Sequence, residues 1–138
     1  MQHGWRELLP TAFLLAGSDA GARDLLARGL VRGGGVDGVV RAHLRRRLGR
    51  EVVLAGAAEP AWWVSPADAA AAAELSGALA GLTRAERAAV VLRWFEDRPA
   101  AEVEAAVPGV DLPALPGRLG VPAAELPARL EVLAGTAR

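Results

Sequence analysis

The chain has 138 residues, enough to bury a real core in one domain or two small ones. With 52% hydrophobic and 23% charged residues it is globular in composition, and no uncharged apolar run approaches the roughly 18 residues that a membrane-spanning helix needs. A formal net charge of 0 hides an asymmetry: residues 1–50 carry nine Arg against Glu7, Asp19, Asp24 and Asp37, a net of +5, while residues 51–138 carry seven Arg against twelve acids, a net of −5.

The periodicity is helical nearly throughout, and an all-α chain is expected. Leu8-Leu9, Ala12-Phe13 and Ala16 recur at i, i+4, i+8 and predict an amphipathic helix that Gly17 ends. Ser18 or Asp19 suits the cap of the next helix, with Ala22, Leu25-Leu26 and Leu30 facing inward until Gly33-Gly34-Gly35. A third helix is predicted from about Asp37 to Leu48, with Val39-Val40, His43-Leu44 and Leu48 on one side.

Residues 51–66 read as a linker, with Val52 to Leu54 the one place for a stray extended stretch. Ser65 is then expected to cap a helix with Pro66 at its first position and Asp68 in its first turn. Leu75, Leu79 and Leu82 give that helix an i, i+4, i+7 stripe. Thr83 and Glu86 form a capping box, so a further helix should start near Arg84 with Ala88, Val91, Leu92 and Phe95 on its apolar face. The sequence Glu96-Asp97-Arg98-Pro99 breaks it, and Pro99 suits the first position of the next helix, where a missing N–H costs nothing. Val103 and Val107 repeat at i, i+4 before Pro108-Gly109 stops the run. Pro113, Pro116, Pro122 and Pro127 rule out a long helix further on.

The residues from Arg87 to Asp97, RAAVVLRWFED, followed by Ala101 to Val107, AEVEAAV, resemble the C-terminal promoter-binding domain of bacterial sigma factors of the extracytoplasmic-function group. In that group a helix of this type precedes a helix-turn-helix. The stretch from Leu8 to Gly17, followed by Ala22-Arg23-Asp24-Leu25, is similar to the opening of the N-terminal sigma domain. The resemblance implies two small helical domains, residues 1–50 and 67–138, joined by residues 51–66, the second with a degenerate helix-turn-helix.

The chain also departs from the family pattern. Arg23 precedes Asp24, and Arg28 stands where an acid is common. The aromatic-rich segment that captures unpaired promoter bases is missing or compressed into residues 31–38. Where the recognition helix belongs stands LPGRLGV, residues 115–121, in which Arg118 alone survives as a base or phosphate contact.

Nothing in the sequence points to catalysis. His3 and His43 belong to no metal or acid–base motif, the three consecutive glycines follow a helix and not a strand, and the absence of cysteine excludes disulfides and thiolate sites. No cofactor is implied. The basic constellation Arg41, Arg45, Arg46, Arg47 and Arg50 has two readings. One is a solvated helix face whose stems cover apolar surface; the other is a phosphate-backbone contact, which the resemblance favours. Trp62-Trp63 either cover an apolar edge or bind a partner, and Asp24 falls where the family meets RNA polymerase.

Residues 8–17 have the apolarity of a signal-peptide core but lack a basic leader and a cleavage site, so a cytoplasmic protein without membrane contact is expected. The resemblance implies a role in transcription initiation or its regulation, with RNA polymerase core or an anti-sigma-like protein as partner. DNA would be met through the N-terminal half. The alternative is a degenerate sigma relative without promoter binding, acting as a protein–protein interaction module.

Overall fold

The computed structural model describes residues 5–32, 34–45 and 64–136. Among these residues every regular element is helical, so the chain belongs to the all-α class that its periodicity predicts. None of the described helices is long and apolar enough to cross a membrane.

The N-terminal half is three helices. Helix α1, Trp5–Ala16, contains Pro10, which removes a backbone donor and crowds the preceding turn. Burial holds the helix together across it: Leu8, Ala12, Leu14 and Leu15 are each at most 2% exposed. Gly17 ends α1 with a left-handed φ of 84°. Ser18 then caps α2, Asp19–Arg32, its Oγ accepting from the Gly21 amide at 3.1 Å. Ala22, Leu25 and Leu26 face inward as expected. Helix α3, Gly35–Arg45, starts two residues ahead of Asp37 and buries Val39, Val40, Ala42 and His43. It crosses α2 closely at Gly29, where an added Cβ would lie 3.0 Å from Val39 Cα. The predicted end of α3 near Leu48, the 51–54 stretch and nearly all of the 51–66 linker lie outside the described residues.

The C-terminal half begins one turn later than the sequence implies. The Ser65 hydroxyl donates to the Asp68 carboxylate at 2.9 Å instead of accepting a backbone amide. Residues 66–68 close into a turn, and α4, Ala69–Ala80, starts with Asp68 at its N-cap. Leu75 and Leu79 are buried and Leu82 half-buried, the predicted stripe.

Helix α5, Arg84–Val90, opens with the predicted capping box and passes into a π-turn, Val91–Phe95. The π-turn closes with the Glu96 amide on the Val91 carbonyl at 2.9 Å, and Asp97 reverses the chain at φ 55°. Pro99 is the N-cap of α6, Ala100–Ala106, one position earlier than expected. Its carbonyl accepts from Val103 at 3.2 Å. A 3-10 turn, Leu112–Ala114, leads to α7, Leu115–Leu119, only five residues long. Gly120 and the following turn separate α7 from α8, Leu126–Ala134. The prolines have the effect expected of them: one long helix is replaced by short pieces.

The two halves pack directly together. Helices α1 and α3 contact α5, and α8 lies against α1, α4 and the π-turn. Leu14, Leu15, Leu25 and Val39 from the first half share a core with Leu79, Val90, Val91, Leu92, Leu126 and Leu130 from the second.

Candidate nucleic-acid and partner interface

Arg41 and Arg45 lie at the C-terminal part of α3, both exposed. Among the described residues no carboxylate pairs with either of them. They are one helical turn apart and present two adjacent cations to solvent. Arg46, Arg47 and Arg50, and the pair Trp62-Trp63, lie outside the described residues. Asp24 forms an i, i+4 ion pair with Arg28 at 3.2 Å.

Arg118, on α7, pairs with Glu86. That carboxylate also accepts from the Thr83 amide at 2.9 Å, while the Glu86 amide donates to the Thr83 hydroxyl at 3.1 Å. One acid thus closes the cap of α5 and ties α7 to it. The Thr83 amide, helped by the Thr83 hydroxyl and Arg118, holds the Glu86 carboxyl below its ordinary range against a smaller opposing effect of burial. A carboxyl whose pKa is lower in the fold stabilises the fold above its unfolded pKa, and this contribution fades as pH falls through the folded value. Glu86→Gln keeps a cap acceptor but removes the charge; acid titration of stability should therefore be shallower in this variant. Thr83→Ala should cost about 1 kcal/mol at neutral pH in urea unfolding.

A second set of polar contacts, which no local sequence signal marks, joins the N-terminal helices to residues 84–98. The Arg87 Nε donates to the Leu14 carbonyl in the last turn of α1 at 2.6 Å. A cation there satisfies a terminal carbonyl and faces the negative end of the helix dipole. Burial pushes the Arg87 guanidinium down to about 10, so it stays charged at neutral pH. Gly17 packs over it: an added Cβ would lie 3.2 Å from Arg87 Nη2. The His43 Nε2–H donates to the Arg84 carbonyl at 3.2 Å, which fixes the tautomer. The Thr11 hydroxyl donates to Glu96, and Arg98 pairs with Asp37. A buried threonine inside α1, a lone buried histidine and an arginine beside an apolar run are among the residues involved, but their partners are 41 to 85 positions away in the chain.

No group of three or more His, Asp or Glu among the described residues is placed to hold a metal ion. The geometry defines an all-helical body with an exposed basic helix end in one half, a pair of short helices in the other, and a polar seam between them. Comparison with protein-family models, curated proteins and solved structures finds no match to the chain.

Proposed function

We propose that this chain is a sigma-factor-like protein of bacterial transcription initiation or its regulation, meeting RNA polymerase core through protein contacts and DNA phosphates through the Arg-rich end of α3. The observation that carries the proposal is the arrangement of residues 83–119. A capped, buried helix ends in a sharp break at Glu96 to Pro99, a second short helix follows, and after a turn comes a third. The first two of these helices, residues 87–97 and 101–107, carry the sequence resemblance. Arg41 and Arg45, exposed and without a carboxylate partner among the described residues, support the DNA contact, because guanidinium groups release counterions from a phosphate backbone.

A second proposal, a degenerate sigma relative that works as an interaction module with an anti-sigma-like protein or a polymerase subunit, is favoured by α7. Reading base edges takes a helix presenting several donors to the major groove. Helix α7 has five residues, and its one arginine is engaged by Glu86.

Salt-dependent DNA binding separates the two. If the arginines from Arg41 to Arg50 hold the backbone, replacing Arg45, Arg46 and Arg47 by Ala weakens binding to all sequences alike and flattens the slope of log K against log salt by about 3. Arg118→Ala changes binding far less. Duplex affinity that survives the triple substitution excludes this face. An intact chain that binds polymerase or an anti-sigma-like protein but no DNA selects the interaction module.

A further inference from the structure

We infer that the seam between residues 84–98 and the N-terminal helices is a permanent lock, so the chain meets its target as one closed body and not as two modules on a tether. The part concerning the target rests on the function proposed above; the lock itself does not.

Burial on α5 and the start of the π-turn carries the inference first. Ala88, Ala89, Val90, Val91 and Leu92 are five consecutive residues, each at most 1% exposed. Five consecutive helical positions run through more than one full turn, so a single neighbouring surface cannot cover them all. The cover comes from both sides: α1 and α3 belong to the N-terminal half, and the 3-10 turn belongs to the C-terminal half. Separation of the halves would therefore expose the apolar surface of these five residues to water.

The polar contacts add geometry. Arg84 and Arg87 engage α3 and α1 at the start of the segment, and Glu96 and Arg98 engage α1 and the first turns of α3 at its end. A hinge motion about one end must break the contacts at the other. Separation would also take the Arg87 guanidinium from the Leu14 carbonyl, leaving the last turn of α1 without that donor. A joint meant to open in each working cycle would need a partner that rewards the open state by more than this loss.

The consequence is a fixed relation between the exposed arginines of α3 and helices α6 and α7. The target must offer one contiguous face that meets both.

The test uses the absence of cysteine, which makes engineered thiols unique. Asp37, exposed, and Arg98, half-buried, pair across the seam, so the D37C/R98C variant of the full chain can be joined by a reductant-cleavable bis-maleimide. The joined and cleaved forms should bind purified core polymerase with Kd values within about twofold. A joined form weakened by tenfold or more, with affinity restored by reductant, overturns the lock. Native-state hydrogen exchange on the unmodified chain decides the same point without any partner. The slowest amides of α1, α2 and α3 should exchange through the same opening as those of α5. Exchange of the N-terminal helices at least tenfold faster, with α5 still protected, overturns the lock as well. If neither form binds polymerase, the functional proposal falls, and the exchange result alone decides the lock.

Discussion

Val90→Asp should leave the chain without a cooperative folded state. Val90 is fully buried on α5, in the core shared by both halves. A carboxylate there would lose its hydration with no cation facing it by design, and protonation would only reduce the cost to that of a buried neutral acid. Burying an unpaired charge or unsatisfied polar group in this way costs several kcal/mol. A chain of this size has a total stability of about 5–15 kcal/mol, and the substitution also forfeits the apolar contacts of the valine. Ala101→Asp, on the exposed side of α6, is the control and should change stability by less than about 0.5 kcal/mol. Urea unfolding followed by tryptophan fluorescence reads both. A sharp transition for Val90→Asp near the midpoint of the parent would show that α5 is not packed on all sides.

Arg87→Ala is expected to destabilise the fold by about 2–4 kcal/mol, from loss of a charge-assisted hydrogen bond and of the packing of the buried stem. The Leu14 carbonyl would be left without its donor in a part-buried seam. Lysine should not restore the loss. Its ammonium is more strongly hydrated than a guanidinium and lacks the Nε–H that reaches Leu14. A substitution at Gly17 should act on the same site, since a Cβ there both requires a left-handed φ of 84° and crowds the guanidinium at 3.2 Å. Equal stability of Arg87→Ala and the parent in urea would remove Arg87 from the seam.

Local signals in the sequence translate into structure where a short stretch carries its own physics. The Thr83–Glu86 box, the break at Glu96 to Pro99, the Ser18 cap and the stop at Gly17 each depend on neighbours within a few residues, and each is present. Ser65 shows how such a signal misplaces a boundary by a turn. Its hydroxyl had two acceptors or donors within reach, and the Asp68 carboxylate won over the backbone amide.

The apolar stripe of α5 was legible as Ala88, Val91, Leu92 and Phe95. The burial of Ala89 and Val90 was not, because it is imposed by helices more than forty residues earlier. The same holds for the seam. His43 reads from the sequence only as part of the apolar side of its helix, and nothing local marks Arg87 or Thr11; tertiary packing alone brings the three to their partners. Of the candidate site residues, Arg41 and Arg45 are exposed and without a carboxylate partner among the described residues, Asp24 and Arg118 hold ion partners, and Arg46, Arg47, Arg50, Trp62 and Trp63 lie outside the described residues.

The ion pair of Arg118 also sharpens the choice between the two functional proposals. An exposed pair of this kind is worth at most about 1 kcal/mol, so a polyanion with several phosphates can compete for the arginine, but one arginine supplies little sequence discrimination. Any DNA contact of the chain is therefore expected to be dominated by phosphate and by salt, and its specificity has to come from the protein it accompanies.

The central claim is that this chain engages the transcription machinery, and the direct measurement is capture from native bacterial cytoplasm on the immobilised full chain, probed for RNA polymerase subunits and repeated with purified core enzyme. The account predicts recovery of the core subunits and a saturable complex with the purified enzyme that survives nuclease treatment. Absence of polymerase subunits from the capture, together with no complex between the folded chain and purified core, would contradict it.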